Sequence, residues 1–397
     1  MRYLAVAVLL ASAGYCHAAS SKGCGQKLPD GITTDKSNNL TIKTSDGLER
    51  SYLLHLPSNY DSKKPHGLIW SYHGRGKNAT HQEDITGLSK SASNPDHIVV
   101  YPQGMIPVPT KSSKLRIRRD SGDGDDDDDD DDDDEEDEDE DDSNKGQASW
   151  QGDPDSTTDD VKFTLELLED ISKSYCVEED RVYASGMSNG GGFVANILAC
   201  DGSATEKFAA FAAASGAYYQ IDARGKCKPD SVAIKCDNKG TKVAIITTAG
   251  GKDNTIPFMG GSRRKHCLPS DPHFLATWAE RNGLPSTNET SMVDSTNVEH
   301  YSYGQGDAAG MVQSYFIPEM GHQWPNGNAK SHISGTKVFM DFFADWNMTR
   351  RNSVGKSLPA STYNATVAET GAAALLSVSN YQGLGLLMAL LGSMVFF

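Results

Sequence analysis

The chain has 397 residues, and 37 basic against 54 acidic residues give it a formal charge of −17. A nucleic-acid binder needs a basic face to displace counterions, so this balance argues against that class. The acidity is local, since 20 of the 54 acids lie between Asp120 and Asp142, and without them 34 acids oppose 37 bases.

Met1–Ala19 combines Arg2, an apolar run from Tyr3 to Ala11 and small residues around Ala18. This predicts a secretory signal peptide at residues 1–19, because a membrane span needs roughly 20 apolar residues. Cys16 lies inside it. Cys24, Cys176, Cys200, Cys227, Cys236 and Cys267 remain, an even set that suits disulfides in an oxidising compartment. None of their spacings reads as a zinc site. Sequons at Asn39, Asn78, Asn288, Asn347 and Asn364 fit a glycosylated exported chain.

Apolar runs at Leu53–Leu56, Leu68–Tyr72 and Ile98–Tyr101 predict strands. An insert at residues 106–149 follows, basic over Lys111–Arg119 and then acidic. Like charges repel and bury no surface, so a disordered loop is expected there. Thr158–Tyr175 places Val161, Leu165, Leu168, Ile171 and Tyr175 at helical spacing, with Asp159 and Asp160 suited to the first turn. Further strands are expected at Arg181–Gly186, Phe208–Ser215, Val243–Thr248 and Val312–Ile317, and further helices at Gly190–Ala199 and Ser334–Trp346. Near-continuous apolar runs alternating with helices predict one α/β domain over residues 24–346, a mostly parallel sheet covered on both faces. Residues 347–383 read as a flexible stalk. The uncharged segment 384–397 reads as a glycolipid-anchor signal, with attachment near Gly371, Ala372 and Ala373. A short tail anchor and an amphipathic end are the alternatives. The anchor would be the chain's one link to a membrane.

Gly186-Met187-Ser188-Asn189-Gly190 is a G-x-S-x-G motif between a predicted strand and a predicted helix, the setting of a nucleophile elbow. A serine hydroxyl needs a base, and the base needs an acid to orient it. In α/β-hydrolases they follow in the order Ser, acid, His. Asp253 lies just after the strand Val243–Thr248, and His322 follows Val312–Ile317 in Gly321-His322-Gln323-Trp324-Pro325. Ligand sites of parallel sheets lie at such strand ends. The competing acids Asp222 and Asp230 follow no strong strand, and His266, His273, His300 and His332 fit less well. Donors for an oxyanion are expected from the backbone amide of Asn189 and that of Arg75, or else Gly74, in Ser71-Tyr72-His73-Gly74-Arg75-Gly76. An antiparallel return of the Asn189–Cys200 helix along the strand predicts a Cys176–Cys200 disulfide. Trp150 and Trp324 are candidates to line a substrate groove, with core packing the alternative. No metal or organic cofactor is implied.

The stretches Ser71–Arg75, Val100-Tyr101-Pro102-Gln103-Gly104, Trp150-Gln151-Gly152-Asp153-Pro154, Arg181–Phe193, Gly251–Arg264 and Gly321–Pro325 resemble secreted feruloyl esterases of the carbohydrate esterase family 1 group. That group also holds acetylxylan esterases and relatives of polyhydroxybutyrate depolymerases. The resemblance implies an α/β-hydrolase using Ser188, Asp253 and His322, with feruloylated arabinoxylan or a similar cell-wall polysaccharide ester as substrate. The insert and the anchor-like tail depart from the group's pattern. Acetyl or hydroxyalkanoate esters are the alternative substrates. An inactive surface-binding protein on the same scaffold is the rival class, and the intact Ser, Asp and His argue against it.

Overall fold

In a computed structural model, residues 19–107, 146–221 and 226–356 are described. The expected signal peptide up to residue 18, the charged part of the insert, the terminal apolar segment, Asn364 and Asp222 lie outside them. The strands in chain order are β1 (Ser37–Lys43), β2 (Glu49–His55), β3 (His66–Tyr72), β4 (Ile98–Pro102), β5 (Val177–Met187), β6 (Ala210–Ala214), β7 (Ala244–Gly250), β8 (Gly261–Arg263), β9 (His266–Leu268), β10 (Glu289–Met292), β11 (Glu299–Tyr303) and β12 (Val312–Ile317). Ten of them form one sheet in the order β1-β2-β4-β3-β5-β6-β7-β12-β11-β10, and β8 and β9 make a separate hairpin.

The six central strands, β4 through β12, pair in parallel, with antiparallel pairs at both edges. Alternate residues of each central strand feed opposite layers. Leu68, Trp70 and Tyr72 of β3 pack with α2 (Asp160–Ser174) and with Phe274 and Trp278 of α5 (Asp271–Arg281). Ile69, with Val99 and Tyr183, faces Phe339, Phe342 and Phe343 of α6 (Gly335–Asp345). Burial on both faces explains why these strands are apolar throughout. Helix α1 (Ala79–Thr86) follows β3, and the short helices α3 (Asn189–Gly192) and α4 (Gly202–Thr205) follow β5. The order and the second antiparallel strand are those of the α/β-hydrolase fold.

The predicted boundaries shift at three places. At the amino end, Glu179 N–H donates to Ala19 O and Ser21 Oγ to Tyr175 O, so ordered structure begins before Cys24. The insert is narrower than residues 106–149, because Ser149 N–H donates to Met105 O and Gly76 N–H to Ala148 O. At the carboxyl end, α7 (Met348–Ser353) replaces the start of the stalk. Asn347 caps it, and the buried Arg351 donates to Phe208 O. The first compact unit therefore reaches Gly355.

The expected Cys176–Cys200 bridge is also corrected. The bridges are Cys24–Cys176, Cys200–Cys236 and Cys227–Cys267. The geometric expectation failed on strand length. Val177–Met187 has 11 residues, about 33 Å, whereas the helical return from Asn189 to Cys200 covers only about 17 Å. Cys200 stops part-way and meets the 236–237 segment, where Asp237 N–H donates to Cys200 O. Cys176 is met instead by the amino-terminal segment.

Candidate active site

Ser188 follows β5 in a conformation that non-glycine residues seldom adopt, with φ 54° and ψ −121°. The turn is possible because the motif glycines admit close backbone approach. A Cβ on Gly186 would lie 2.5 Å from the Gly190 carbonyl, and one on Gly190 would lie 2.3 Å from Tyr72 O. The turn is tied down by Ser188 N–H to Ala214 O (2.9 Å) and by Gly192 N–H to Ser188 O (2.8 Å).

Two loops from neighbouring strand ends meet this serine. Asp253 follows β7, is buried, and accepts from the amides of Thr255 (2.9 Å) and Ile256 (2.8 Å) through Oδ1. Its Oδ2 lies 2.7 Å from His322 Nδ1, and His322 Nε2 lies 2.9 Å from Ser188 Oγ. A carboxylate can only accept, so Nδ1 carries the proton and Nε2 is left to accept from the serine hydroxyl. His322 is held on the loop after β12, where Lys252 N–H donates to Met320 O. Four of the competing residues are engaged elsewhere. Asp230 accepts from Ser270 Oγ, His266 bonds Arg264 O, His273 bonds Val232 O, and His300 bonds Gln313.

Gly74 lies against the serine, since a Cβ on it would be 3.3 Å from Ser188 Cβ. The groups that hold this loop escaped sequence reasoning. His73 is buried, donates from Nδ1 to Gly74 O (2.8 Å) and accepts Gly104 N–H at Nε2 (2.9 Å). Burial pushes its pKa down to about 4, so the ring is neutral and keeps this tautomer. His73 stood in a quoted motif, but sequence gives no sign of whether a histidine faces a substrate or the chain itself.

Trp150 and Trp324 line no groove. Both are buried, so core packing replaces the substrate-contact expectation. Trp150 meets Tyr72 edge-on and donates from Nε1 to His73 O (2.8 Å), while its N–H donates to Asn189 Oδ1 (2.9 Å). Trp324 meets Phe339 edge-on and donates to Thr336 Oγ1. Among the described residues, no group of three or more His, Cys, Asp or Glu could hold a metal ion.

A second buried carboxyl belongs to this neighbourhood. Asp271 opens α5, and its N–H donates to Phe258 O on the loop that carries Asp253. Burial, together with the Asp253 carboxylate, pushes its pKa up to about 7. An unfolded aspartate titrates near 3.9. The native state therefore holds more protons between about pH 4 and 7, and stability falls as pH rises through that window. Asp271→Asn, neutral throughout, is expected to match wild type at pH 4 and to exceed it at pH 8 by on the order of a few kcal/mol. Denaturant midpoints at the two pH values check this, and equal midpoints at pH 8 would exclude it.

No family model matches the chain. It is 28% identical over 255 residues to feruloyl esterase D of Neurospora crassa, covering 64% of this chain and 71% of that one. It is 24% identical over 278 residues to the probable feruloyl esterase C of Aspergillus oryzae, covering 68% and 76%. Among solved structures, the acetyl xylan esterase from Aspergillus awamori superposes with a TM-score of 0.46 at 15% identity, over 78% of this chain and 99% of that one. The chain is a carboxylic ester hydrolase with the α/β-hydrolase fold, similar to the curated feruloyl esterases.

Proposed function

We propose that the protein is an exported serine esterase releasing feruloyl groups from plant cell-wall xylan. Ser188 is the nucleophile, His322 the general base and acid, and Asp253 the residue that orients His322. The amides of Asn189 and of Arg75, or else Gly74, are the oxyanion donors. The observation that carries the reading is the unbroken relay from Asp253 through His322 to Ser188 at the strand ends. The feruloyl esterase relatives support the acyl group.

Ser188 Oγ attacks the ester carbonyl as its proton passes to His322 Nε2, and the carbonyl electron pair moves onto oxygen. Collapse expels the sugar oxygen, which takes that proton. A water molecule, deprotonated by the same Nε2, then attacks the acyl-enzyme and frees ferulate and Ser188. The imidazolium formed at each step is stabilised by the Asp253 carboxylate, whose other oxygen is already fixed by two amides. An aromatic acyl group is also favoured by the exposed Ile106, Ile221 and Met259. They sit on the loops leaving the carboxyl ends of β4, β6 and β7, the sheet end at which Ser188 lies, and exposed apolar side chains there suit a ferulate ring better than an acetyl group.

Export is supported by three disulfides, which persist in oxidising compartments. The sequons at Asn39, Asn78 and Asn288 are exposed, as glycosylation requires. Tethering by a glycolipid at the carboxyl end is part of the same proposal. Full membrane retention after effective treatment with a phosphoinositide-specific phospholipase would count against it. The substrate is tested by offering methyl ferulate, acetylated xylan and a short hydroxyalkanoate ester to one preparation. Ferulate release is expected to dominate, and strong deacetylation without ferulate release would remove the assignment.

A further inference from the structure

Four charged side chains form a cluster outside the relay, and one of them, Arg75, follows the Gly74 that lies against Ser188. Arg75 places Nη1 2.6 Å from Asp153 Oδ1 and Nη2 3.0 Å from Asp155 Oδ2. Arg264, at the turn of the β8–β9 hairpin, places Nη1 2.9 Å from Asp153 Oδ2 and pairs Nη2 with Asp155. The Asp153 side chain is 1% exposed, and those of Arg75 and Arg264 are 13% and 12% exposed. Two guanidiniums thus share one buried carboxylate. That geometry is costly to disrupt, because removing the anion leaves cations out of water without a counter-charge.

The location of Asp153 gives the cluster a use. Its N–H donates to Trp150 O (3.0 Å), and the N–H of Trp150 donates to Asn189 Oδ1 (2.9 Å). Asp153 is therefore linked through Trp150 to the residue after the nucleophile, and through Arg75 to the turn after β3. Those two places carry the proposed oxyanion donors. The turn itself is held by Lys77 N–H to Gly74 O and by Gly76 N–H to Ala148 O. The Arg75–Asp153 pair adds a charged side-chain tie to the Trp150 bonds that already join this turn to Asn189.

We infer that Asp153 is a positioning residue for the oxyanion site, holding the main chain at Arg75 in register with Asn189 through the Arg75 guanidinium. The inference rests on the proposed serine-esterase reading. A donor acts on charge that develops only in the transition state, so its misplacement lowers kcat and leaves substrate binding alone. Loss of one such donor costs about 100- to 1,000-fold in kcat, and a displaced donor costs part of that.

The test is Asp153→Asn in the full chain, with Arg75→Met breaking the same tie from the other side while keeping the backbone amide. Each variant is expected to lower kcat on methyl ferulate by roughly tenfold or more, with KM within about threefold of wild type. Inhibition by a boronic acid, which forms a tetrahedral adduct on serine, is expected to weaken in parallel, and inhibition by ferulate to hold. The double variant is expected to lose less than the sum of the two single losses, because both remove the Arg75–Asp153 pair. A folded Asp153→Asn enzyme with kcat within twofold of wild type would overturn the inference. So would a loss confined to KM and ferulate inhibition, or additive losses in the double variant. If Asp153→Asn does not fold, the same criteria apply to Arg75→Met. A wild-type protein that hydrolyses no ester and takes no phosphonate at Ser188 would instead defeat the serine-esterase reading.

Discussion

Ser188→Ala is expected to lower kcat/KM for ester hydrolysis by about 10⁴-fold or more, leaving only what binding and the oxyanion donors supply. The fold should survive, because removing one hydroxyl leaves the turn's backbone bonds to Ala214 and Gly192 in place. Relaxing a serine from φ 54° into alanine gains nothing that would change the turn. A serine-directed phosphonate should label wild type and not the variant. Equal labelling would show that the reactive hydroxyl is another one. Asp253→Asn should cost a similar factor by a different route. Its amide nitrogen can take the place of Oδ2 and donate to Nδ1, which drives the proton onto His322 Nε2 and removes the acceptor for Ser188. Single-turnover measurements separate the two. The alanine variant should form no acyl-enzyme, and the asparagine variant should form it slowly.

These expectations were open to sequence reasoning because the relay obeys local rules. The elbow needs small residues on both sides of Ser188, and the acid and the histidine must follow strands that end on the same side of the sheet. Strands buried on both faces announce themselves as apolar runs, so β3, β4, β5, β6, β7 and β12 were all legible. The edges were not. β10 is exposed along its length, and the inward face of β1 is Asn38 with the half-buried Leu40 and Ile42, so neither reads as an apolar run. The start of β5 was hidden by Glu178, Glu179 and Asp180, whose side chains stay partly in water while the backbone of Glu178 and Glu179 pairs with the amino-terminal segment. For Trp150, groove lining and core packing stood side by side, because sequence does not say which way a ring turns. Asp160 likewise read as a first-turn acid favourable to the helix dipole. It is in fact buried, 2.7 Å from the equally buried Arg50, which lies under the ring of Phe163. Partnerships of this kind, like the Asp153 cluster, join residues about a hundred positions apart and leave no trace in spacing.

Removing the Cys24–Cys176 bridge is expected to cost the most stability of the three disulfides and to cost no activity. Its cysteines are 152 residues apart, against 36 and 40 for the other two. In the chain-entropy account the cost grows with the logarithm of loop length, giving about 5 kcal/mol for the long loop and about 4 for each short one. For a domain of this size that corresponds to a fall in Tm of about 10 °C in a Cys24→Ser/Cys176→Ser double variant. The amino-terminal segment would then be held by backbone bonds to Val177 and Ser172 and by Ser21 Oγ, with no covalent tie. The bridge sits at the start of β5, and Ser188 follows the far end of the same strand, about 33 Å away. Activity at 25 °C should therefore stay within twofold of wild type while the thermal midpoint drops. The short Cys227–Cys267 bridge should behave in the opposite sense. Cys267 belongs to the hairpin that carries Arg264 into contact with Asp153, so opening this bridge should lower kcat before it lowers Tm by as much. Calorimetry and methyl ferulate turnover on the two double variants decide the matter. A Tm loss below 2 °C for Cys24→Ser/Cys176→Ser would show that the unfolded chain is already restrained by other means, and a matching loss of kcat would show that the far end of β5 is coupled to the site.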